Sequence, residues 1–378
     1  MRLNKFSVFS ENVPYFNEAR NKEIFERVAR KCYLPTNKIM LGLIDELGKD
    51  FKISYSMTGV FAEQCEKYSP ETVESFKSLA DTGNVEFLSE TYYHSLAALF
   101  SEREFRDQVE KHQELINDYF GQKPKVFRNT EAMYSNHISE LVESMGYKGI
   151  ITEGHDYYLK WRSPNYLYKP PGNSKLKILL RNYKLSDDIG FRFSARWWEE
   201  YPLTAEKYAS WLSKCEGNLI NIFIDYETFG EHQWQDTGIF EFLRKMPHDV
   251  LKYDYLEFVT PSEVVNKYEP VGEFDVPHIL SWADVQRDTS AWLENDMQRA
   301  AFEEMAKLEG KIDDKELLHT WRLLQTSDHF YYMCTKWFAD GDVHKYFNPY
   351  DSPYDAFINY MNILQDVKKK VTSGNNEG

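Results

Sequence analysis

The sequence predicts an α/β fold with a mostly parallel sheet, open or closed into a barrel, followed by a helical C-terminal region. Three observations carry that reading. Short apolar runs of strand length alternate with amphipathic stretches over residues 1–275. Helix-start and helix-stop residues punctuate the intervals between them. From about Ser290 the strand signal ends and long helical patterns take over.

Taken in order, the strand candidates are "FKISYSMTG" from Phe51, "VEFLSE" from Val85, "KVFRNTE" from Lys125 and "GIITEG" from Gly149. They continue with "KILLRNY" from Lys177, "NIFIDYE" from Asn221 and "EFVTPSEV" from Glu257. Between them, "SPETVESFKSLADTG" places Ser69 as N-cap, Pro70 at the first helical position and Gly83 beyond the end. In "NHISELVESMGY", Ile138, Leu141, Val142 and Met145 recur at helical spacing and Gly146 closes the helix. Three helices are expected at Ala291–Leu308, Asp314–Lys336 and Pro353–Val371. The chain therefore divides into residues 1–275, a helical region over 276–371 and a disordered tail over 372–378.

Composition narrows the function classes. A chain of 378 residues with 42% hydrophobic content buries one large core or two ordinary ones. Its 45 basic and 60 acidic side chains leave a net charge of -15, which repels phosphate backbones and anionic membrane surfaces, so neither nucleic acid nor membrane is expected as a partner. Cys32, Cys65, Cys215 and Cys334 form no CxxC pair and read as free thiols of a reducing compartment. With no run near the ~20 apolar residues of a membrane span and no h-region in "MRLNKFSVFS", a cytoplasmic location is expected. The ten histidines show no HxxxH spacing, so no metal and no other cofactor is expected.

The acids give the chemistry. Glu90, Glu131, Glu153 and the pair Asp225 and Glu227 each end a different strand candidate, the sheet edge that carries active sites in barrels and open sheets alike. Strand alternation puts Asp225 and Glu227 on one face with Phe223, and Glu131 on one face with Asn129 and Phe127. Any single acid there also reads as a helix N-cap. Carboxylates crowded together raise one another's pKa, so one stays protonated while another stays anionic, the division that glycoside hydrolysis uses. Aromatic residues make up 16% of the chain, and loops such as "GHDYYLKWRSPNYLYKPPG" and "FRFSARWWEEYP" offer flat apolar faces suited to pyranose rings, or else fold over the core.

Together "VEFLSETYYHSLA", "VFRNTEAMYSN", "NIFIDYETFGEHQW" and "SWADVQRDTSAWLEN" resemble four of the five signature regions of glycoside hydrolase family 57, in its α-amylase group, in the right order over Tyr15 to about Trp337. The resemblance implies an incomplete (β/α)7 barrel with a helical C-terminal region that completes the cleft, a retaining mechanism, and α-1,4-glucans such as starch, glycogen and maltooligosaccharides as substrates. It implies Glu131 as nucleophile and Asp225 as general acid/base. Glu227 then holds sugar hydroxyls and tunes Asp225, and His232 borders the neighbouring subsite. Glu86, His94, Asp288 and Trp292 are implied as substrate contacts.

One departure stands out. The family's opening strand ends in a His-Gln-Pro motif that this sequence lacks, and the segment from Arg2 resembles what ordinarily follows it, so the first barrel strand is expected to be missing, by truncation or with another segment covering the gap. Three further readings stay open: a metal-dependent polysaccharide deacetylase, a non-hydrolytic glucan-binding or regulatory homologue, and a 4-α-glucanotransferase or branching enzyme, which shares the glycosyl-enzyme intermediate with a hydrolase. Chain-length preference and oligomeric state are not legible.

Overall fold

The structure, a computed structural model, describes residues 1–7, 13–336 and 348–374. Its strands are β1 (Ile53–Tyr55), β2 (Val85–Phe87), β3 (Val126–Arg128), β4 (Gly149–Glu153), β5 (Leu167–Tyr168) and β6 (Lys177–Arg181). β1 pairs with β2, and β3, β4 and β6 pair in that order, all parallel; β5 runs antiparallel on the far side of β6. A bridge from Ser89 to Phe127 joins the two groups, and one from Arg181 to Asn221 extends the arc beyond β6. Helices alternate with these strands, which is the expected α/β architecture. Among the described residues no strand pairs with the outer edge of β1.

Five of the seven strand candidates form ladders, and two do not. The run from Asn221 meets the sheet only at its first residue and then turns. The run from Glu257 leads into the helix Pro261–Lys267, because Thr260 and Glu263 close a capping box around Pro261 at the first helical position. The helix Pro70–Ala80 forms as expected, as does Asn136–Ser144, capped by Ser135.

In the C-terminal region, Asn295 and Gln298 form a capping box that splits the expected helix Ala291–Leu308 into Ser290–Leu293 and Asp296–Ala306. The expected helix Asp314–Lys336 likewise breaks into Lys315–Leu323 and Ser327–Tyr331. Thr326, in that break, bridges to Ser95, which brings the C-terminal region against the sheet's functional edge. The last helix, Pro353–Gly374, takes in the first three residues of the expected tail, and residues 375–378 lie outside the described residues. This region has its own core, built on Trp292, Trp321, Phe330 and Tyr360 together with Leu3 and Phe6. No helix among the described residues is long and apolar enough to cross a membrane.

Candidate active site

A cavity of 1270 Å³ opens at the C-terminal ends of the strands and follows the inner face of the sheet past Leu88, Ile151 and Leu179. Glu90, His94, Arg128, Glu131, Asp225, Glu227, His232, Trp282 and Trp292 all line it.

Glu131 reaches this space through a short 3-10 turn, Thr130–Ala132, directly after β3. The strand stops at Arg128, so Glu131 does not share a strand face with Phe127 and Asn129. Glu131 and Ala132 have left-handed backbones, at φ 57° and 52°. Non-glycine residues there cost of order 1 kcal/mol or more each, and such strain persists where surrounding bonds enforce it. Here they do: the Ala132 N–H donates to the Asn129 carbonyl at 2.9 Å, the Thr152 hydroxyl to the Ala132 carbonyl at 2.9 Å, and the Trp282 N–H to the Glu131 carbonyl at 3.2 Å.

Asp225 arrives differently. It precedes the 3-10 turn Tyr226–Thr228, so the expected alternation of Asp225 and Glu227 on one strand face is replaced by a helical turn. The Tyr33 hydroxyl donates to Glu227, and the Glu227 carbonyl accepts from the His232 N–H at 2.9 Å. Gly230 allows the loop to fold back at φ 115°, where a Cβ would stand 2.0 Å from the Lys31 carbonyl oxygen. Glu231, in the same stretch, points away from the cavity, paired with Lys31 at 2.9 Å and Arg27 at 3.0 Å.

Three donors converge on the Glu131 carboxylate. The Ser327 hydroxyl donates to Oε1 at 2.7 Å, His94 Nε2 approaches the same oxygen at 3.2 Å, and Trp282 Nε1–H donates to Oε2 at 2.9 Å. Burial alone would raise this pKa; the bond and charge of His94, aided by Ser327 and Trp282, overcome it and hold Glu131 down at about 2. Burial would correspondingly lower His94, but its bonds to Glu131 and Glu90 raise it to about 10, so the ring is an imidazolium at neutral pH.

Asp225 is shifted the other way. Asp225 is exposed to the solvent that fills the cavity, yet the surrounding walls crowd it and limit its hydration. That desolvation raises its pKa first, then the negative charge of Glu227, with a smaller push from Glu131; His232 and Arg128 oppose them without reversing the direction.

The sequence-based assignments divide accordingly. Glu131, Asp225, His94, Glu227, His232 and Trp292 are brought together, with Trp292 only 1% exposed. Glu86 and Asp288 are not. Glu86 lies in the middle of β2, below the functional edge, and accepts the Ser262 N–H at 2.9 Å as well as the Ser262 hydroxyl, at the start of the helix Pro261–Lys267. Asp288 is exposed and accepts the Ser290 N–H at 2.8 Å; Asp284, four residues earlier, lines the cavity. Glu153 is buried beside the cavity, 3.0 Å from Arg181. Residues not assigned from sequence are Trp282, Ser327 and Arg128. The Arg128 guanidinium lies 4.9 Å from the Trp282 ring centre and that of Arg181 5.7 Å, so two cations hold the indole through its ring. Among the described residues no group of three or more His, Cys, Asp and Glu side chains is placed to hold a metal ion.

Comparison with known proteins agrees with this fold. A family model described as Glycosyl hydrolase family 57 matches residues 5–277. A Methanocaldococcus jannaschii protein named "Putative alpha-amylase" is 50% identical over 368 residues, covering 94% of this chain and 78% of that protein. A GH57-type branching enzyme from Pyrococcus horikoshii shares the fold at TM-score 0.67 and 15% identity, over 98% of this chain and 93% of that one. The 4-alpha-glucanotransferase of Thermococcus litoralis superposes at TM-score 0.64 and 17% identity over 82% of this chain, which spans 53% of the glucanotransferase chain. The two superpositions concern fold alone. The family match takes in most of the sequence, and the archaeal relative is half identical along nearly all of it: the chain belongs to glycosyl hydrolase family 57.

Proposed function

We propose that the chain is a retaining glycoside hydrolase that cleaves α-1,4-glucans by double displacement, on an incomplete (β/α)7 barrel whose cleft the helical region 276–371 completes. The observation that carries this reading is the divergence of two carboxyl groups on one cavity: Glu131 is held anionic at about 2, whereas Asp225 is pushed above its ordinary value. Asp225 donates its proton to the glycosidic oxygen as Glu131 attacks the anomeric carbon from the opposite face and the glycosidic bond breaks. The Asp225 carboxylate then takes a proton from water, whose oxygen displaces Glu131. Two inversions leave the configuration retained. Glu227 adjusts Asp225 through its charge, and His94 and His232 border the sugars, while Trp292, 1% exposed, packs in the wall behind them.

Family membership and the half-identical relative named "Putative alpha-amylase" support an activity on glucosidic bonds. The test is the product formed first from maltoheptaose, followed by proton NMR before mutarotation. An α-configured reducing end is expected, and a β-configured one overturns the retaining mechanism. Products longer than the substrate, with little new reducing sugar, would make the chain a transferase working through the same intermediate.

A further inference from the structure

We infer that Glu90 is a positioning residue that keeps the His94 imidazolium aimed at Glu131 through both halves of the double displacement. This rests on the reading of Glu131 as nucleophile. Glu90 itself is 1% exposed, so its carboxylate acts through its neighbours and not on sugar. One oxygen accepts the Ser56 hydroxyl at 2.8 Å; the other stands 3.4 Å from His94 Nδ1 and 3.5 Å from Arg128 Nη1. The opposite ring nitrogen of His94 faces Glu131 at 3.2 Å. Only a doubly protonated ring donates to a carboxylate from each nitrogen. Its backbone is fixed as well: His94 sits at φ 49°, its N–H donates to the Thr91 carbonyl at 3.2 Å, and its carbonyl accepts the Ser327 N–H at 2.9 Å.

The chemistry explains why a second carboxylate is placed there. When Glu131 becomes a neutral ester in the first step, His94 loses one of its two counter-charges, and Glu90 is the one that remains. When water displaces the sugar in the second step, negative charge returns to Glu131, and a donor already protonated and in position stabilises it. The other groups around the pair are accounted for. Arg128 faces Glu90 and works against the imidazolium, Ser327 donates to Glu131, and His112, whose Nδ1 lies 3.4 Å from the Glu90 N–H, is pushed by burial toward its neutral form. Asp225, Glu227 and His232 line the same cavity.

The variant is Glu90→Gln, assayed with an aryl α-glucoside whose good leaving group makes the second step limit kcat. The rate of the initial burst, which reports the first step, should change less than about threefold. Steady-state kcat should stay near wild type at pH 6 and fall about tenfold or more by pH 9, the size of a lost hydrogen bond to a charged group. A kcat profile that superimposes on the wild type overturns the inference. Should Glu90→Gln fail to fold, the wild type decides: with Glu131 trapped as a fluorinated glucosyl ester, the nitrogen NMR shifts of His94 should remain those of an imidazolium at pH 7.5, and a neutral ring overturns it. Mass spectrometry of the trapped enzyme separates the two claims. A label on another residue overturns the proposed function, whereas a label on Glu131 with an unchanged profile overturns the role of Glu90 alone.

Discussion

Trp282 is bound to Glu131 twice: its indole N–H donates to Oε2 at 2.9 Å, and its peptide N–H donates to the Glu131 carbonyl at 3.2 Å. One residue thus fixes both the carboxylate and the left-handed turn that carries it. Trp282→Phe keeps the peptide bond and most of the ring packing but removes the indole donor. A hydrogen bond to a charged group contributes about 1.5–3 kcal/mol, so kcat/KM on maltoheptaose should fall roughly 10- to 100-fold. A change of less than about twofold would show that the indole does not orient the nucleophile.

The paired titrations of His94 and Glu131 give stability a direction with pH. His94 is raised from 6.5 to about 10, so its contribution is complete below 6.5 and is lost as pH rises toward 10. Glu131 is lowered from 4.5 to about 2, so its contribution is present above 4.5 and is lost as pH falls toward 2. Urea unfolding of the wild type should show stability declining from pH 6.5 to 9.5, with a shallower decline in Glu131→Gln, where His94 has lost its nearer partner. Parallel declines in the two proteins would mean that other groups set the alkaline limit.

Glu86 is expected to matter for stability and not for turnover. Its carboxylate accepts from Ser262 at the first turn of Pro261–Lys267, and losing such a cap typically costs ~1 kcal/mol. Glu86→Ala should lower the urea midpoint by a corresponding amount while kcat and KM on maltoheptaose stay within about twofold. A large rise in KM without loss of stability would return Glu86 to the substrate.

What was legible from sequence follows from which features are local. Glu131 and Asp225 sit in short motifs at the ends of apolar runs, and both line the cavity. The backbone that delivers them departs from strand alternation, which assumes a continuing strand: Glu131 lies within a 3-10 turn and Asp225 is the extended residue just before one. The run from Asn221 has strand character but pairs through a single bridge, because a ladder needs a partner that the run itself does not specify. The capping box at Thr260 and Glu263 was a local signal that outweighed the apolar run before it. Trp282 and Ser327 reach Glu131 from 151 and 196 positions away, contacts that no window of sequence contains. Glu86 and Asp288 show the converse: matching a motif region placed them in the site, whereas the strand position of one and the short helix after the other direct them elsewhere.

Azide rescue of Glu131→Ala and Asp225→Ala, with an activated aryl α-glucoside as substrate, tests the assignment of nucleophile and acid/base most directly. Glu131→Ala should give a glucosyl azide of inverted, β configuration, because azide enters the space that the nucleophile left. Asp225→Ala should give the retained α azide through the glucosyl ester, together with a defect of ~10²- to 10⁴-fold on natural glucan. The opposite pairing of configurations would reverse the two roles, and full activity in either variant would place the catalytic pair elsewhere.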